Sequence, residues 1–239
     1  IHEIAHQWFG NSVTEYDWDD VWLSEGFATY FTLLFIEHEY GREEFVNGLI
    51  SSQKRVDAFH EKYPMYTIVH DNLQDMNKVT SSHTYQKGSW ILHMLRGVLG
   101  TEFFWKAIQE YYKRYRDINA STDDFKRVVE EVSGKDLSVF FKQWLYNPGT
   151  LKLEGTWSYD KRRGQVILDI NQVQKDGSLF EMPLEIGIEF ENESQKLEKI
   201  NLKRKTNIFK LKVNKEPKNI ILDPNLWVLM NVNFNKKSN

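Results

Sequence analysis

The sequence predicts an α+β chain of more than one domain, a mainly helical part over residues 1–149 followed by an antiparallel β-sandwich over residues 150–239. Three observations predict it. Up to Asn147, apolar residues recur at intervals of three and four, the spacing of one helix face. At Pro148-Gly149 the period changes to two, and about seven short alternating runs follow. The helical runs are bracketed by stops and caps such as Gly41, Gly100 and Ser121-Thr122-Asp123-Asp124.

The first helix runs from Ile1 to near Phe9 and is stopped by Gly10-Asn11. Its flanks Ile1, Ile4, Ala5, Trp8 and Phe9 are apolar, which predicts a buried helix. An acidic turn around Asp17, Asp19 and Asp20 reverses the chain, and a second helix runs from near Asp20 to Tyr40. A third, Arg42 to Tyr63, carries Phe45, Leu49, Val56 and Phe59 at helical spacing. Tyr63 to Thr80, with Pro64, reads as a loop that either helps line a cleft or simply fills the surface. Ser81-Ser82 lead into a helix through Tyr85, Trp90, Met94 and Leu99; Thr101–Tyr115, Thr122–Val132 and Leu137–Leu145 follow. The strands centre on Trp157-Tyr159, Val166–Ile170, Leu184–Phe190, Ile200-Leu202, Ile208–Val213, Ile220-Leu222 and Val228–Val232. Turns fall at Lys161–Gly164, Lys175–Ser178, Glu191–Gln195, Lys215–Pro217 and Asp223–Asn225, and the polar tail Asn235–Asn239 is expected to fray.

Chemistry concentrates in the first thirty-one residues. His2, Glu3 and His6 form an H-E-x-x-H pattern. Residues four apart lie on one helix face, about 40° offset, so two imidazoles can reach one metal ion. A hydrolytic zinc wants three protein ligands and an open position. Eighteen residues separate His6 from Glu25, which falls one to two turns into the second helix and can face back toward both histidines. Glu3 is displaced by about 100° round the helix from His2, better placed beside a metal's water than on the metal. That makes it the natural general base.

These residues carry a resemblance. His-Glu-Ile-Ala-His-Gln-Trp-Phe-Gly-Asn at 2–11 and Trp-Leu-Ser-Glu-Gly at 22–26 resemble the M1 family of zinc aminopeptidases, with Ser24 where the family usually has Asn. A third family motif, Y-x-K-G, is matched by Tyr85-Gln86-Lys87-Gly88. The resemblance implies a thermolysin-like helical catalytic domain over 1–149, one Zn2+ per chain on His2, His6 and Glu25, Glu3 as general base and Tyr85 as oxyanion donor. It also implies peptide substrates with a free N-terminus, and it likens residues 150–239 to the family's small sandwich domain. The family's β domain and its G-x-M-E-N motif, which binds the substrate's α-amino group, are expected upstream, the chain being read as the C-terminal part of a longer protein. The nearest local stretch, Phe180-Glu181-Met182-Pro183, does not match that motif. Two alternatives stay open: a thermolysin-like zinc endopeptidase, and a non-catalytic peptidase-like binding module.

The rest of the composition narrows little. A net charge of −3 argues against nucleic acid as a partner. The absence of cysteine excludes disulfides, thiolate metal sites and a cysteine nucleophile, and assigns no compartment. No apolar run reaches transmembrane length, and the oligomeric state is left open. His38, His60, His70 and His93 read as solvated or structural residues near helix ends or loops, and His83 as a candidate for the cleft edge. Asp19 or Asp20 is a candidate partner for the second nitrogen of a metal-bound histidine, or else a cap for the second helix.

Overall fold

The structure, a computed structural model, describes residues 1–70, 79–191 and 194–237. Residues 71–78 of the loop expected at Tyr63–Thr80, part of the Glu191–Gln195 turn and the end of the tail thus lie outside the described residues. The chain forms two compact units, Ile1–Gly149 and Thr150–Asn239.

In unit one, α1 (His2–Ala5) continues as turns to Phe9, where Phe9 N still donates to Ala5 O. A three-residue strand β1 (Val13–Glu15) and a 3-10 turn (Trp18–Asp20) lead into α2 (Val21–Tyr40). Helices α3 (Arg42–Lys62), α4 (Gly88–Leu99), α5 (Thr101–Tyr115) and α6 (Thr122–Ser133) follow, with strand β2 (Ile118–Ala120) before α6 and α7 (Ser138–Phe141) after it. Helix α2 is central because its apolar residues face several neighbours at once. Trp22, Phe27, Ala28 and Tyr30 are fully buried. Phe9 stacks on Phe27 at 4.2 Å, Phe27 meets the edge of Phe125 at 5.4 Å, and Phe125 meets Tyr111 at 4.9 Å. Ring pairs at these separations stabilise beyond area burial, by roughly 0.5–1.5 kcal/mol each.

The helices lie where the periodicity and caps place them. Ser121 accepts from Asp124 N while Asp124 accepts from Ser121 N, a reciprocal capping box. Three local features depart from the expectations. Helix α4 is preceded by a π turn, His83–Lys87, and α7 runs on into another, Lys142–Tyr146. Strands β1 and β2 pair in parallel, Val13 with Ile118 through Glu15 with Ala120, and clamp the chain reversal between α1 and α2. Helix α1 is not buried as expected: Ala5 and Phe9 are, but Ile1, Ile4 and Trp8 are 47%, 57% and 49% exposed.

Among the described residues, unit two holds seven strands: β3 (Leu151–Asp160), β4 (Gln165–Gln172), β5 (Met182–Glu189), β6 (Gln195–Leu202), β7 (Thr206–Lys212), β8 (Asn219–Leu222) and β9 (Met230–Lys236). They form a four-stranded sheet ordered β7-β4-β3-β9 and a three-stranded sheet ordered β6-β5-β8. Alternation sets the faces: Val166, Leu168 and Ile170 on β4 are fully buried, while the residues between them are not. The expected antiparallel pattern has one exception. β9 runs parallel to β3, Leu151 opposite Met230 through Trp157 opposite Lys236.

Candidate active site

Two helices bring the motif residues together. His2 and His6 project from α1 and its following turn, and Glu25 from the second turn of α2. His2 Nε2 lies 3.1 Å from His6 Nε2 and 3.2 Å from Glu25 Oε2, and His6 Nε2 lies 3.3 Å from the same oxygen. Three ligand atoms thus make a nearly equilateral triangle. Tetrahedral zinc with bonds of about 2.0–2.1 Å sets its ligand atoms roughly 3.3–3.4 Å apart, so the triangle fits that ion. Among the described residues this is the one group of three or more His, Cys, Asp or Glu able to share a metal. The side chains are 29% (His2), 16% (His6) and 17% (Glu25) exposed, so the triangle is open to solvent, most at His2.

Tyr85 joins the same cluster. Its hydroxyl donates to Glu25 Oε1 at 2.9 Å, the oxygen not facing the histidines, and its ring stacks 6.0 Å from His2. The π turn His83–Lys87 that carries it has one more residue than an α turn, an irregularity frequent at functional sites. Burial pushes the phenol up to about 12, helped by its bond to Glu25 and by the charges of Glu25 and Glu3. Tyr85 is therefore a neutral donor at neutral pH. Glu3 is exposed beside His2, near enough for its charge to act on Tyr85.

The glycines after Glu25 and Lys87 explain how Glu25 and Tyr85 meet. A Cβ on Gly26 would lie 3.0 Å from the carbonyl carbon of Gly88, and one on Gly88 would lie 3.1 Å from Gly26 Cα. Both are backbone atoms, which cannot swing aside. The start of α4 therefore crosses α2 at a separation that only glycines allow. Gly88→Ala is expected to cost about 1–3 kcal/mol, the usual range for overpacking, and to loosen the Tyr85–Glu25 contact. Chemical denaturation checks it; an unchanged midpoint and slope would refute the close crossing.

Several expectations need correction. Neither Asp19 nor Asp20 partners a motif histidine. Asp20 Oδ1 accepts from Thr122 N and Thr122 Oγ1, both at 2.7 Å, at the start of α6, and its side chain makes no cap bond to α2. Asp19 Oδ1 lies 3.9 Å from His70 Nδ1, and burial raises its carboxyl pKa. Asp17 instead caps the 3-10 turn, accepting from Trp18 N at 2.7 Å. The second nitrogen of His6 is held by the Phe9 carbonyl at 3.0 Å. His83 does not edge the cleft. It is fully buried among Phe59, His60 and Tyr66, and burial with the nearby Lys87 charge pushes its pKa down to about 2. His93 is not near a helix end but mid-α4, fully buried and 3.2 Å from Tyr30 Oη. His60 is buried too, whereas His38 is solvated as expected. One nearby group had no signal in the sequence. Glu15 on β1 is close enough to feel Glu25 and His6, and burial raises its carboxyl pKa.

Residues 1–144 match the Peptidase family M1 domain. This chain belongs to the M1 peptidase family. It is 32% identical to aminopeptidase M1-D of Oryza sativa subsp. japonica over 194 residues, 78% of this chain and 22% of that protein. It is 29% identical to probable aminopeptidase 1 of Sulfurisphaera tokodaii over 210 residues, 84% of this chain and 26% of that protein. A crystal structure of Legionella pneumophila aminopeptidase A in complex with aspartic acid matches 99% of this chain and 26% of its own, with a TM-score of 0.82 at 20% identity, a likeness of fold. The chain spans about a fifth to a quarter of the length of these proteins.

Proposed function

We propose that the protein carrying this chain is a zinc aminopeptidase, with His2, His6 and Glu25 as zinc ligands, Glu3 as general base and Tyr85 as oxyanion donor. The observation that supports it most is the triangle of His2 Nε2, His6 Nε2 and Glu25 Oε2 at 3.1–3.3 Å. When bound, zinc supplies Lewis acidity, polarising a carbonyl and making water acidic enough to be deprotonated near neutral pH. The chain's own residues supply the rest. Glu3, exposed and next to His2 in the chain, takes the proton of the attacking water and returns it to the leaving amine. Tyr85, kept protonated, turns its O–H toward the oxygen on which charge develops. It already donates to Glu25 Oε1, so it needs only to switch acceptor within the same cluster. Peptides with a free N-terminus are the substrate class by kinship with aminopeptidases. For unit two we infer that its sheets pack face to face as a sandwich without chemistry, since each buries alternate residues.

Release of a chromophore from an aminoacyl substrate but not from its N-acetylated form is the test. Equal rates on both would favour the endopeptidase reading, and no release from either, with zinc bound, the non-catalytic one. Tyr85→Phe removes one hydroxyl and almost no volume. It is expected to lower kcat by roughly 10²–10³-fold, the usual loss for one oxyanion donor, with KM little changed because the bond matters mostly in the transition state. A raised KM at unchanged kcat would make Tyr85 a substrate-binding group instead.

A further inference from the structure

Ser24 comes just before Glu25 on α2 and is 8% exposed. Its Oγ lies 3.2 Å from His6 Nδ1 and 3.5 Å from the Phe9 carbonyl oxygen, which itself lies 3.0 Å from His6 Nδ1. One placement of the hydrogens fits these contacts. A carbonyl oxygen only accepts, so His6 Nδ1 must carry a hydrogen to bond Phe9 O. Facing that N–H, Ser24 Oγ is an acceptor, and its own hydrogen is left to point at Phe9 O. The neutral ring then has its lone pair on Nε2, the atom 3.1 Å from His2 Nε2 and 3.3 Å from Glu25 Oε2.

The space for this arrangement is kept by Gly10. Its φ is +125°, a conformation side chains rarely adopt. A Cβ there would fall 2.6 Å from Ser24 Oγ and 3.0 Å from His6 Nδ1. The chain reversal after α1 thus brings the Phe9 carbonyl and the Ser24 hydroxyl onto one side of the His6 ring and keeps other side chains out.

We infer that Ser24 is a positioning residue: its hydroxyl, with the Phe9 carbonyl, holds His6 in the Nδ1–H form and aims Nε2 at the metal position. The inference rests on the zinc reading above. A metal-bound imidazole generally bonds a carbonyl, carboxylate or water through its other nitrogen, and such partners fix tautomer and ring angle. Here a hydroxyl shares that task, and it belongs to the residue next to a ligand. Glu25 and the group that orients His6 are therefore carried on one helical turn and move together.

The test uses the purified protein stripped of metal, with Ser24→Ala, Ser24→Asn and Glu25→Ala, and zinc affinity read by chelator competition. Asparagine offers an oxygen acceptor at this position and alanine does not. Ser24→Ala is expected to bind zinc roughly tenfold more weakly, the low end of the range for losing such a partner, because Phe9 O remains. Ser24→Asn is expected to recover most of that loss. In nitrogen-15 spectra of histidine-labelled, metal-free protein, the Nε2–H share of His6 should rise in Ser24→Ala and fall back in Ser24→Asn. Zinc affinity in Ser24→Ala within about twofold of the parent, well below that range, overturns the proposal. So does an equal loss in Ser24→Ala and Ser24→Asn, which would place the effect in packing. Glu25→Ala separates the two readings. If it keeps full zinc affinity, the ligand set is wrong, while the metal-free spectra still report on Ser24 and His6.

Discussion

Replacing Glu3 by glutamine is expected to leave zinc bound and to remove nearly all turnover. Glu3 lies off the ligand triangle, exposed beside His2, and the three atoms that would hold the ion come from His2, His6 and Glu25. Glutamine keeps the length of the side chain and its hydrogen-bonding reach but cannot take a proton. General acid–base catalysis by one positioned group contributes about 10²–10⁴-fold, and Glu3 is assigned both transfers, so the loss should lie at the upper end. Its exposure makes the exchange neutral for folding, as surface substitutions usually stay within about 0.5 kcal/mol. Parallel measurement of zinc content and kcat checks this. Zinc lost in step with activity would make Glu3 a ligand.

The second large effect is at Glu25. Glu25→Ala removes one corner of the triangle and also the acceptor of the Tyr85 hydroxyl. Losing an outer partner costs about 10–100-fold in metal affinity, and losing a ligand should cost more. Helix α2 should survive, because its packing rests on Trp22, Phe27, Ala28 and Tyr30 rather than on Glu25, and alanine is the best helix former. The expected result is a folded, zinc-poor protein by circular dichroism and metal analysis. Unchanged zinc content would remove Glu25 from the site.

What the sequence made legible follows from how local each signal is. The histidine pair is read from a four-residue interval on one helix. Helix ends are read from local chemistry, as at Ser121 and Asp124, whose two side chains satisfy each other's backbone. The strands of unit two announce themselves by alternation alone. What stayed hidden depends on distant partners. β1 and β2 have three residues each, too few to show a period, and exist because they pair across more than a hundred residues. Asp20 looks like a cap for the helix it precedes, yet its carboxylate serves Thr122 at the head of α6. The parallel β3–β9 pairing joins the first and last strands of unit two, and no local pattern encodes direction. The burial of His83 and His93 depends on which rings surround them. Ile1, Ile4 and Trp8 misled in the other direction: an apolar side chain shows what a helix can bury, not what covers it.

The claim on which the rest depends is that His2, His6 and Glu25 bind one zinc. Anomalous diffraction from crystals of the zinc-loaded protein, recorded on both sides of the zinc absorption edge, tests it most directly. The account predicts one peak per chain, about 2.0–2.2 Å from His2 Nε2, His6 Nε2 and Glu25 Oε2, with Glu3 unbound. A peak bound elsewhere, or none at these three atoms in protein that hydrolyses substrate, would contradict it.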